Sequence, residues 1–98
     1  MTTKLVALWT APDDTEGFET DYATTHLPLA RSVPGLTVAI ASKAVGGPYF
    51  RMAELKFEDM DALSAGLGSE EGLALVADSD RLQAAFGNTL DVLIVEEQ

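Results

Sequence analysis

Apolar and polar positions along this 98-residue chain change period several times, and the changes mark its elements. Lys4 to Trp9 is a short run of strand-compatible residues ended by a Pro-Asp-Asp turn signal, which predicts a first strand. Asp13 and Glu16 then have the spacing of a capping box, with Asp14 or Thr15 as alternative caps, so a helix starts there. On it Phe18, Tyr22, His26, Leu29 and Val33 follow helical steps and share an inward face, while Glu19, Thr20, Asp21 and Thr24 form the polar side. Pro28 lacks the N–H that would bond the Thr24 carbonyl, so the helix is expected to kink or end near His26. Pro34-Gly35 closes the segment.

Leu36 to Lys43 alternates as a second strand, and a Gly-containing connection leads to a third over Tyr49 to Phe57, with Phe50 and Met52 on one side and Tyr49, Ala53, Leu55 and Phe57 on the other. Cap-like Asp59, Asp61 and Ser69 introduce helical segments near Met60 to Leu67 and Glu70 to Phe86, separated by Gly66-Leu67-Gly68. Leu90 to Val95 is a nearly continuous apolar run, expected to be a fourth strand covered on both faces. The order β-α-β-β-α-β predicts an α+β, ferredoxin-like fold with a four-stranded antiparallel sheet and helices on one face. Yet in several strands both alternating sets contain apolar residues: Leu5, Ala7 and Trp9 against Val6 and Leu8, and Leu90, Val92 and Ile94 against Leu93 and Val95. Packing two such sheets face to face would bury the second set, which points to a homodimer in the form of a dimeric α+β barrel.

Length and composition narrow the picture further. The whole chain, residues 1–98, reads as one domain, and a domain this short buries only about 60 to 65% of its unfolded surface, so association with a second copy would help it. Cysteine is absent, which removes disulfides and thiolate-bound metal. A net charge of -10 argues against nucleic acid and anionic membrane as partners. The N-terminal apolar run is too short for a signal peptide, no segment approaches a membrane span, and a cytoplasmic location is expected.

His26 is the only histidine and the only side chain whose ordinary pKa lies near neutrality, so it can take or give a proton. Tyr22, one turn earlier on the same face, could orient a substrate oxygen or bond the imidazole. Both could equally be core groups. No Gly-x-Ser-x-Gly elbow or His-Glu-x-x-His spacing is present, Gly66 to Gly72 reads as a linker rather than a phosphate loop, and Glu54, Asp78 and Asp80 read as solvated acids. Trp9, Phe18, Leu29, Phe50 and Phe86 are candidate walls of a pocket for a flat organic molecule, as well as ordinary core residues. Arg31 and Arg51 could hold an anionic oxygen or make surface ion pairs.

The spacing Phe18-x-x-x-Tyr22-x-x-x-His26-x-Pro28-Leu29, then Pro34-Gly35-Leu36, Phe57, Ser69-Glu70-Glu71-Gly72 and an Asp at 78 or 80, resembles the EthD family of the dimeric α+β barrel superfamily. The resemblance covers nearly the whole chain, and its specific part is His-x-Pro-Leu. It implies the same ferredoxin-like dimer. It further implies cofactor-free chemistry on polyketide-like aromatics, of the dehydratase, cyclase, monooxygenase or lactone isomerase kind, or else a non-catalytic accessory protein that binds a small hydrophobic ligand. Family members often carry a second histidine or an aromatic beside the motif histidine, where this chain has Thr25.

Overall fold

The computed structural model describes residues 1–98. Strands β1 (Thr3–Trp9), β2 (Leu36–Lys43), β3 (Arg51–Phe57) and β4 (Leu90–Glu96) form one antiparallel sheet in the order β2-β3-β1-β4. Helical segments α1 (Thr15–Asp21) and α2 (Leu27–Arg31) follow β1, and α3 (Met60–Gly68) and α4 (Glu70–Phe86) follow β3. This is the ferredoxin-like α+β fold that the element order predicts.

Register assigns the two faces. Leu5 stands opposite Leu55 and Ile94, and Ala7 opposite Ala53 and Val92, so the odd positions of β1 share a face with the buried Ala53, Leu55 and Phe57. That face carries the helices. Leu55 and Phe57 pack with Ala30, Val33, Leu63 and Leu75 in one core, and Trp9 packs with Phe18, Tyr22 and Leu82 in another. The opposite face presents Val6, Leu8, Val38, Ile40, Met52 and Leu93, interrupted by the ion pair of Lys4 with Glu54 at 2.8 Å.

Three expectations need correcting. β4 is not covered on both faces: Val92, Leu93 and Ile94 are each about half exposed, because β4 is an outer strand beside β1 alone and the helices lie over the other three. β3 begins at Arg51, and the chain turns before it, so Phe50 packs against Phe18 on the helix side while the Tyr49 hydroxyl reaches Asp91 at 2.9 Å. Gly66 to Gly68 does not separate the last helices. These residues belong to α3, and Ser69 alone makes the corner, capping α4 through Gly72 N–H. The corner is tight: a Cβ on Gly72 would come within 2.3 Å of the Gly66 carbonyl oxygen.

Candidate active site

Asp14, not Asp13, caps α1, its carboxylate accepting from Gly17 N–H at 3.0 Å. The helix then does not break at Pro28. It widens into a π turn over Tyr22–His26, in which Leu27 N–H bonds back to the Tyr22 carbonyl, and it continues through Pro28 as α2. One additional residue in the turn removes the need for the Pro28 N–H and eases the ring past the preceding carbonyls. The additional residue also shifts the phase of the inward stripe. An α-helix carries i+4 about 40° past a full turn, and the wider turn takes part of that rotation back. Phe18, Tyr22 and His26 therefore stay in line: their rings stack successively at centroid distances of 5.4 and 5.5 Å. Beyond His26 the buried position is Ala30, whereas Leu29 is half-buried.

Trp9, at the end of β1, meets this stack edge-on, 5.4 Å from the His26 ring. From the other side α4 brings Asp78. Its Oδ2 lies 2.8 Å from His26 Nδ1, and its Oδ1 accepts from Arg81 Nε at 2.6 Å. Arg81 in turn donates through both terminal nitrogens to the Asp21 carboxylate at 2.9 and 2.7 Å. The result is a continuous line, His26–Asp78–Arg81–Asp21, that clamps α4 to the first helical segment. His26 and Asp78 are only 6 and 8% exposed, so Asp78 is not the solvated acid that the sequence suggests.

Burial pushes the Asp78 carboxyl up, but the hydrogen bonds from Arg81 and His26 outweigh it and hold the group below its ordinary range. Burial likewise pushes the His26 imidazole down, and the Asp78 hydrogen bond offsets only part of that effect. Near neutral pH His26 is therefore neutral beside an ionised Asp78. That pairing puts the ring proton on Nδ1, where it is donated to the carboxylate, and leaves Nε2 with a free lone pair and no hydrogen-bond partner.

A cavity of about 400 Å³ lies between the sheet and the helices. Its floor is Leu5, Ala7, Trp9, Ala53 and Leu55, and its roof includes Tyr22, His26, Leu27, Ala30 and Leu75. The exposed lining residues Val76 and Asp80 of α4 and Val92 and Ile94 of β4 mark the open side. Of the sequence candidates, Trp9, Tyr22 and His26 come together on its wall. Phe18, Phe50 and Phe86 stand one layer behind, Phe18 touching both Trp9 and Tyr22 and packing in turn against Phe50 and Phe86. Leu29 packs against the other core. The Tyr22 hydroxyl does not bond His26: it is buried without any partner, as is the indole N–H of Trp9. Arg51 is occupied by Glu19, with Nε at 2.9 Å, and lies over the Tyr22 ring at 5.1 Å. Arg31 is exposed on the helix surface, outside this cavity.

Among solved structures the chain is similar to an ethyl tert-butyl ether d (EthD) family protein from Bacillus halodurans C-125, at 31% identity over 100% of both chains with a TM-score of 0.91. It is similar in fold to a dabb family protein with a ferredoxin-like fold from Mesorhizobium loti, at 11% identity and a TM-score of 0.79 over 99 and 97% of the two chains. SnoaB from Streptomyces nogalater, a cofactor-independent oxygenase, shares the fold at 16% identity and a TM-score of 0.72, over 99 and 93%. No family model matches the sequence, and no curated protein sequence does.

Proposed function

This chain belongs to the EthD family, and we propose that it is a cofactor-free enzyme in which His26 acts as general acid or base on a small carbonyl, phenolic or polyketide-like molecule. The observation that carries this reading is the free Nε2 of a neutral imidazole on an apolar cavity wall, with Nδ1 committed to a buried carboxylate. Nε2 takes the substrate proton, and Asp78, kept ionised by Arg81, stabilises the imidazolium that forms. Tyr22, whose hydroxyl is sealed off from the cavity, assists by orientation, its ring stacking on the imidazole. Trp9 contacts the substrate; Phe18, Phe50 and Phe86 brace Trp9 and Tyr22 from behind, and Leu29 packs under the following helical turn.

The apolar sheet face of Val6, Leu8, Val38, Ile40, Met52 and Leu93 is where a second copy would pack, leaving the cavity on the opposite face. A second reading shares the cavity without the chemistry: a largely apolar lining around about 400 Å³ suits retention of a small hydrophobic ligand by an accessory protein.

Native mass spectrometry after exposure to a cell extract identifies the bound molecule, and turnover of that molecule by His26→Asn and His26→Ala separates the two readings. General acid–base catalysis predicts a loss of about 100- to 10,000-fold with circular dichroism unchanged. Unaltered turnover in folded variants ends the enzymatic reading, and ligand retained without conversion favours the accessory one.

A further inference from the structure

We infer that the cavity selects an uncharged ligand bearing a hydroxyl, a phenol or an enol, and rejects carboxylates and phosphate esters of the same shape. This rests on the cavity being the ligand site, and concerns which class of molecule it takes.

Hydrogen-bonding capacity on the wall is asymmetric. His26 offers a lone pair at Nε2 and so calls for a proton donor on the ligand. A hydroxyl on an aromatic or enolic frame supplies that proton, and an ionised carboxylate has none to give. The unpaired Tyr22 hydroxyl and Trp9 indole N–H are sealed off from the cavity surface and offer the ligand nothing.

Charge points the same way. Fourteen of the eighteen lining residues are hydrophobic, and none is Lys or Arg. The nearby guanidiniums are spent elsewhere, Arg51 on Glu19 and Arg81 on Asp78 and Asp21. The one lining acid, Asp80, stands at the open side, and the chain as a whole carries -10. An entering anion would thus lose its hydration, meet no counter-charge and pass a carboxylate on the way. A hydroxyl ligand enters neutral. When its proton passes to Nε2, the O–H bond breaks, an N–H bond forms, and the pair left behind is a phenolate or enolate beside an imidazolium held by Asp78. The net charge inside the cavity does not change, so the step needs no cation.

Naphthol and naphthoate, nearly isosteric and differing in charge near neutral pH, test this by calorimetry on the full chain. The single histidine and single tryptophan give unambiguous NMR signals that report whether binding is in the cavity. Naphthol should bind and shift the His26 ring and Trp9 indole signals, with naphthoate weaker by at least about tenfold. The variant Val76→Arg, at an exposed lining position of α4, should narrow that gap by strengthening naphthoate several-fold. Naphthoate binding as tightly as naphthol overturns the charge selection while leaving general acid–base chemistry at His26 standing, as does a gap that Val76→Arg leaves unchanged. Binding of neither compound removes the cavity as a ligand site, and both readings with it.

Discussion

Replacing Asp78 by asparagine should invert the histidine rather than merely weaken it. Asp78 accepts two hydrogen bonds with two different oxygens, from His26 Nδ1 at 2.8 Å and from Arg81 Nε at 2.6 Å. Asparagine has one oxygen and one NH2. The guanidinium can only donate, so it takes the oxygen, and the NH2 is left facing His26. Nδ1 must then accept, and the ring proton moves to Nε2, turning the free lone pair toward the cavity into a donor. A general base is lost with almost no change of shape. The cost in stability is modest, since the bond to His26 becomes a neutral one while the guanidinium keeps its charge on the other: about 0.5 to 2 kcal/mol, from a contribution of about 1.5–3 against about 1. In a domain of this size that is roughly 2 to 16 °C in Tm. Because Asp78 also favours the imidazolium, His26 should titrate lower in the variant than in the parent. Nitrogen-15 NMR of the one histidine reads tautomer and titration together. A variant imidazole still protonated at Nδ1, or titrating higher than the parent, would refute the geometry argued for the pair.

Other consequences are open to simpler measurements. Arg81→Gln should raise the titration point of His26, opposite in sign to Asp78→Asn, because the guanidinium opposes protonation of the imidazole; the same NMR titration checks it. Since His26 titrates below its ordinary 6.5 in the folded chain, the unfolded chain binds the proton first as pH falls. That stability is fully present above 6.5 and is lost as pH drops through the folded value, so urea midpoints should decline over that window in the parent and more shallowly in His26→Asn. Gly72→Ala should cost about 1–3 kcal/mol, read by thermal melting, because its methyl meets backbone oxygens of Gly66 and Leu67 that cannot swing aside. If the open sheet face is self-complementary, light scattering should give twice the 10.4 kDa chain mass, and Ile40→Lys should shift it toward one.

The strands were legible because their apolar runs are short and bounded: β2 was expected over Leu36 to Lys43 and spans those residues. The first helix was legible only as far as Tyr22, because its period changes there and a fixed helical step then puts Leu29 where Ala30 belongs. Asp78 was legible in principle. Leu75, Asp78 and Leu82 follow steps of three and four, so the acid sits within an inward apolar stripe, and an acid there requires a buried partner. What no spacing discloses is that the partner lies 52 residues away on another helix. Arg81 was hidden in the same way, its role depending on Asp21 across that packing.

The π turn also decides how much empty space the protein holds. In an unbroken α-helix with Phe18 and Tyr22 inward, the residue thrust at the sheet after His26 would be Leu29; with one residue more in the turn it is Ala30, which lines the cavity. The hollow above Ala53 and Leu55 thus owes its volume to the phase of the roof helix as well as to small side chains beneath it. Rewinding Tyr22–His26 into a regular α-turn at unchanged length would swing the imidazole off Asp78 and drive Leu29 into the space, so base and container both depend on the one residue that the wide turn absorbs.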